Sequence, residues 1–212
     1  MADTLERTSP LQPWAPQFAR LPNSVAIVEE PFVTMVDLRV GPFGSGAVAA
    51  AELLGVELPT AASTYAKNAD TTVIWLCTDE WLVTGTALVG PELEARLREA
   101  VAPHDGAAVD VSGQRTTLRL RGPHSRDVLA KGCALDLHPR AFGEGTAAQT
   151  MVGQAGVILL AVTETGDDYR ILVRSSFARY LGRLAARRDG GVHTRTDGDL
   201  MYPDGRLTCQ CR

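Results

Sequence analysis

Most of the features that announce a function are scarce or absent in this chain. Cysteine occupies four of 212 positions, Cys77, Cys133, Cys209 and Cys211, at spacings that fit neither a disulfide framework nor a paired CxxC zinc site. No apolar run approaches the ~20 residues that a membrane-spanning helix needs. The opening MADTLERTSPLQP lacks the basic start and apolar stretch of a secretory signal, so a cytoplasmic location is expected. Positive charge is also short: 21 Lys and Arg against 25 Asp and Glu leave a net charge of −4. That balance gives no electrostatic case for nucleic acid or an anionic membrane.

Catalytic wording is missing too. GPFGSG at residues 41–46 has glycines but neither the GxGxxG spacing nor a GK[ST] ending, and reads as a turn into a closely packed helix. No GxSxG elbow would expose a serine nucleophile, and no HExxH would bind zinc. Ser112 follows a strand and precedes a glycine, which suits a turn or cap. His124 and Ser125 are neighbours at a helix start, where adjacent side chains do not face each other. Cys133 has Lys131 nearby, as a thiolate would want, but a small buried core residue fits it better. His138 has no second base or ligand near it and is read as structural. His193, Cys209 and Cys211 lie in a polar stretch better suited to a tail than to a metal site.

What the chain does have is 45% hydrophobic and 22% charged residues, an ordinary globular balance, in a length sufficient for one core or two half-domains sharing one. It also repeats itself. Residues 118–139, LRLRGPHSRDVLAKGCALDLHP, have a looser copy at residues 38–59, LRVGPFGSGAVAAAELLGVELP. Each reads as a strand, a Gly-Pro, a short helix, a small residue, an apolar run and a proline.

The surrounding pattern extends the repeat. Strands are predicted at residues 25–28, 34–40, 107–111 and 116–121, where β-branched or alternating apolar residues dominate. In the last of these, Leu118 and Leu120 are read as inward and Arg119 and Arg121 as outward on a wet face. Hairpins are expected across residues 78–80 and 163–168. Helices are expected after Pro42, Pro91 and Pro123 and from Ser175 or Ser176 onward, with Gly55 and Gly132 as stops. In the Pro91 helix, Leu93, Leu97 and Val101 share a face, and Glu92–Arg96 and Glu94–Arg98 are i,i+4 pairs. Strand–helix–hairpin–helix thus occurs twice, which implies a pseudo-symmetric α+β domain. The expected organisation is an extended, proline-rich arm at residues 1–22, a single domain at 23–188 with halves near 23–105 and 106–188, and a flexible polar tail at 189–212.

The wording of these motifs resembles one family. The pieces are Ser9-Pro10-Leu11, Glu30-Pro31-Phe32, Leu58-Pro59-Thr60, Trp75-Leu76 with TDEWLV at residues 78–83, Val109-Asp110-Val111-Ser112, and Gly122-Pro123. The most specific run is RDVLAKGCALDLHPRAF at residues 126–142, followed by Gln149-Thr150 and LVRSSFARYL at residues 172–181. Together they are similar to the gamma subunit of heterotetrameric sarcosine oxidase, from about residue 9 to residue 188. That family is in turn similar to the folate-binding fold of the glycine-cleavage aminomethyltransferase. In aminomethyltransferases a carboxylate of an acidic pair on the second half's hairpin engages folate; the corresponding residues here are read as Leu159 and Leu160. Leucine neither accepts a hydrogen bond from a pterin nor carries charge.

The resemblance implies a noncatalytic subunit with no cofactor or metal of its own. Its expected partners are the alpha, beta and delta subunits, on which FAD, FMN, NAD, zinc and tetrahydrofolate would reside. The complex would oxidise sarcosine, reduce oxygen to hydrogen peroxide and pass the one-carbon unit to tetrahydrofolate. Trp14, Phe18, Trp81, His138, Arg140 and Phe142 are the expected interface residues, as aromatics and arginines dominate binding hot spots. The alternative is a stand-alone folate-binding protein, of the aminomethyltransferase or the iron–sulfur maintenance type. Lys131-Gly132-Cys133 matches the latter's Lys-Gly-Cys, but Ala134-Leu135-Asp136 departs from its continuation.

Overall fold

A computed structural model describes residues 7–189. In chain order the elements are α1 (Ala15–Phe18), β1 (Ala26–Glu30), β2 (Thr34–Arg39), α2 (Ser45–Leu54), β3 (Tyr65–Lys67), β4 (Thr71–Cys77), β5 (Glu80–Gly85) and α3 (Gly90–Val101). Then come β6 (Ala107–Asp110), β7 (Arg115–Arg121), α4 (Ser125–Ala130), β8 (Ala147–Val152), β9 (Ala155–Ala161), β10 (Asp168–Arg174) and α5 (Ser175–Asp189). They build two five-stranded antiparallel sheets, ordered β3-β4-β5-β2-β6 and β8-β9-β10-β7-β1. The orders correspond element for element, except that the leading strands change places. β1 pairs with β7, Ile27 against Leu120, while β6 pairs with β2, Ala108 against Leu38.

Each sheet buries both faces. Val36, Leu38, Trp81 and Val83 of the first meet Ala50, Leu54, Leu93, Leu97 and Val101 of α2 and α3. Leu118, Leu120, Leu159, Ile171 and Val173 of the second meet Val128, Leu129, Ala178 and Leu181 of α4 and α5. Between the sheets lie Met35, Tyr65, Ile74, Leu82, Ala147, Ile158, Leu160 and Leu172. Each fully buried aliphatic side chain contributes about 1.5–3 kcal/mol as an upper estimate, so three apolar layers hold the sheets in register.

This layering corrects one expectation. Arg119 does not face water: its side of β7 looks onto the other sheet, and its side chain is only 14% exposed. An alternating strand shows which residues share a face, not what covers that face. Arg121, beyond the covered region, is 56% exposed as expected.

The helices obey their local signals. Gly55 caps α2 with φ 62°, in the left-handed region where glycine is least strained. A Cβ at Gly46 would come within 2.7 Å of both His104 and Val40, so close packing requires glycine there, whereas Gly41 and Gly44 have open space around them. In α3 the two Glu–Arg i,i+4 pairs form, and Leu93, Leu97 and Val101 are buried.

The repeated segment has a shared structural task. In the first sheet Trp81 is fully buried, and its indole N–H donates to the Pro59 carbonyl at 2.8 Å. In the second, Tyr169 is fully buried, and its hydroxyl points to the Leu137 carbonyl at 3.5 Å. In both, the loop after the short helix returns to receive the polar end of an aromatic from the hairpin's second strand.

The N-terminal segment departs from the extended arm. Gln12–Trp14 forms a 3₁₀ turn that runs into α1. Prolines at the first positions of these turns suit them, because the missing N–H there has no intrahelical partner. The segment packs on its own domain through Leu11 and Phe18, and Ser9 donates to Glu29. Residues 190–212, with His193, Cys209 and Cys211, lie outside the described residues.

Candidate functional site

Where the two sheets diverge they leave a cleft of about 570 Å³, lined by Glu30, Tyr65, Lys67, Thr117, Arg119, Leu160, Arg170 and residues of β4 and β5. Arg170 and Arg119 stand directly opposite each other in the β10–β7 register. Two carboxylates hold this like-charge pair. Asp168 accepts from Arg119 through both oxygens, at 2.6 and 2.7 Å, and Glu30 accepts from Arg170 at 2.7 and 3.3 Å. Glu30 also lies 3.6 Å from Arg119, and Asp168 3.3 Å from Arg121. The hydrogen bond to Asp168, above all, holds the Arg119 guanidinium more firmly charged than usual.

The rest of the lining offers little reactivity. The Tyr65 hydroxyl donates to the Ala161 carbonyl at 2.7 Å, and burial pushes its pKa up, so it remains a neutral donor. The Lys67 ammonium is engaged by Glu144 at 2.7 Å. The Thr117 hydroxyl is buried without a hydrogen-bond partner. No nucleophile is paired with a base in the cleft, and each of its arginines is held by a carboxylate through two hydrogen bonds. Leu160 projects into the space between the sheets, whereas Leu159 turns into the helix-covered core, fully buried.

Each isolated candidate has a structural role. Ser112 closes a turn: its N–H and hydroxyl both reach the Asp110 carboxylate, at 2.9 and 2.5 Å, and its oxygen receives the Met35 N–H at 3.0 Å. Cys133 is buried, with its sulfur 3.9 Å from the Thr150 hydroxyl. Ser125 is buried and donates to the Asp167 carbonyl, while His124 lies 2.9 Å from Asp127. No group of three His, Cys, Asp or Glu able to hold a metal occurs among the described residues.

Most of the expected interface residues are needed inside. Trp81 is fully buried, Phe18 is buried against α5, and Phe142 is buried against the Tyr169 ring at 6.5 Å. Trp14 is half-buried against the same core. Trp81, Phe18 and Phe142 are therefore corrected to core positions, while Trp14 keeps part of its surface exposed. His138 and Arg140 are exposed, in a turn where the His138 ring accepts the Arg140 N–H at 3.2 Å. Sequence reading missed the network of Glu30, Arg119, Asp168 and Arg170; its available signal was the alternating arginines of β7 and β10.

The family model described as "Sarcosine oxidase, gamma subunit family" matches residues 41–186. The sarcosine oxidase subunit gamma of Corynebacterium sp. strain P-1 is 36% identical over 180 residues, covering 84% of this chain and 87% of the relative. That of Arthrobacter sp. is 35% identical over 177 residues, covering 82% and 85%. Among solved structures, a chain of the heterotetrameric sarcosine oxidase from Corynebacterium sp. U-96, in complex with pyrrole 2-carboxylate, superposes with a TM-score of 0.80 at 33% identity, covering 87% of this chain and 95% of that one. The glycine cleavage system aminomethyltransferase T from Bartonella henselae shares the fold at 13% identity and a TM-score of 0.54, covering 81% of this chain and 48% of that one. The chain belongs to the sarcosine oxidase gamma subunit family.

Proposed function

We propose that this chain is the noncatalytic gamma subunit of a heterotetrameric sarcosine oxidase, packed in one copy against alpha, beta and delta partners. The complex oxidatively demethylates sarcosine to glycine, reduces oxygen to hydrogen peroxide and passes the one-carbon unit to tetrahydrofolate. The observation that carries this reading is the likeness, along nearly the whole length of both chains, to a chain of the heterotetrameric enzyme. FAD, FMN, NAD, zinc and tetrahydrofolate are assigned to the partner subunits, and the assembly to the cytoplasm. Residues 23–188 form one domain, whose halves are copies of a strand–helix–hairpin–helix unit in the aminomethyltransferase manner; the exchange of leading strands ties them together. Of the exposed residues expected at an interface, His138 and Arg140 remain candidates.

A stand-alone folate-binding role is not favoured. Leu160 faces the cleft where an acceptor would be required, and the cleft arginines are committed to Glu30 and Asp168. Co-expression of the tagged chain with the candidate partner subunits tests the assignment. Co-elution with all three, with sarcosine-dependent hydrogen peroxide formation, is expected; a chain that elutes alone as a stable monomer would overturn it.

A further inference from the structure

The second end of the inter-sheet face carries another pair of opposed arginines. Arg174 stands directly opposite Arg115 in the β10–β7 register, the same relation as Arg170 and Arg119. Here no ion pair forms among the described residues: Arg115 reaches the Gln114 side chain, and Arg174 meets no carboxylate. Asp37 and Glu80 attract Arg115 from a distance, but Glu80 is taken by Arg39 at 2.6 Å. Like charges directly opposite destabilise a sheet, so the pair costs the isolated chain stability. Beside it a groove of about 520 Å³ runs across the sheet, lined by both arginines, Met151, Gly156 and Phe177. Met151 is 50% and Phe177 43% exposed, although both are large and apolar. Gly156 faces Met151 across β8–β9 in ordinary strand conformation, and an added Cβ would meet only the Met151 sulfur, at 3.8 Å. Nothing within the chain therefore requires glycine at this position. Its missing side chain forms the floor of the groove.

Resting on the gamma-subunit reading, we infer that this end of the sheet is the docking surface for an acidic segment of a partner subunit. The segment places a carboxylate between Arg115 and Arg174 and an apolar side chain over Gly156, against Met151 and Phe177. Charge complementarity identifies this occupant: two guanidinium groups with no carboxylate in ion-pair contact among the described residues, bordered by uncovered apolar surface, fit a carboxylate next to a hydrophobic residue. The partner would supply what Glu30 and Asp168 supply at the first end.

The test is competition for limiting partner subunits between tagged wild-type chain and variants whose free-state Tm has been measured. Arg115→Glu with Arg174→Glu, and separately Gly156→Gln, should each capture partners at least tenfold less well. Arg174→Gln should raise the free chain's Tm while weakening capture, a combination that a merely misfolded variant does not give. Capture within twofold of wild type by all three would overturn this surface while leaving the gamma-subunit reading intact. Failure of the wild-type chain to capture any partner would overturn both. Self-association of the free chain, abolished by the same changes, would assign the groove to a second copy and overturn the acidic-partner proposal.

Discussion

The two ends of the inter-sheet face place the same problem in two settings. At each, β7 and β10 set arginines opposite one another, Arg119 with Arg170 and Arg115 with Arg174. At the first end the chain answers with its own carboxylates: Asp168 grips Arg119, and Glu30, arriving on the exchanged strand β1, bonds Arg170. At the second end it provides none within ion-pair distance among the described residues. A charge array resolved inside the chain stabilises the fold. The same array left open costs the monomer a little and becomes useful on assembly.

The contrast breaks most visibly at Asp168. Asp168→Asn removes the negative charge and one of the two acceptor oxygens that face Arg119, which is 14% exposed, and should cost about 2–3 kcal/mol in urea denaturation. Glu30→Gln acts on a more exposed pair and should cost about 1 kcal/mol, read from the same midpoint shift at unchanged m-value. At the second end the sign reverses. Arg174→Gln should stabilise the free chain by up to about 0.5 kcal/mol, whereas Arg170→Gln should destabilise it; equal signs would erase the distinction.

A smaller effect comes from Asp37, whose carboxyl faces the space near Arg115. Burial, with Glu80 adding repulsion, pushes its pKa above the ordinary 3.8, and one of its oxygens is buried without a partner. The folded state thus holds this proton more tightly than the unfolded chain. Its contribution to stability falls as pH rises from 3.8 through the raised value. Asp37→Asn should therefore stabilise the chain at pH 7, with the gain vanishing below pH 3.8 in parallel denaturation series.

Local signals were legible in the sequence where they act locally. The αL glycine after α2, Pro91 in the first turn of α3 and the buried face of α3 follow from spacing and backbone chemistry alone. Pro42 and Pro123, by contrast, lie ahead of α2 and α4 and not within them. β3 and β8 were missed as strands because both are edge strands with polar residues, Lys67 and Gln149 among them. The partner of β1 was not legible: alternation reports which residues share a face, and the exchange with β6 is decided by the packing of the whole domain. For the same reason Arg119 passed for a surface residue. The aromatics were misjudged in the opposite direction, since Trp81 looks surplus beside a polar turn until the Pro59 carbonyl arrives from 22 residues away to receive its N–H. The leucines at 159 and 160 were visible in sequence, but only the structure separates Leu160, which faces the cleft, from Leu159, which is buried under the helices.

Native mass spectrometry of the chain co-expressed with its candidate alpha, beta and delta partners tests the central claim most directly. An assembly containing one copy of this chain with one of each partner is predicted. A three-subunit enzyme that forms and turns over sarcosine without the chain, leaving it as a free monomer, would contradict it.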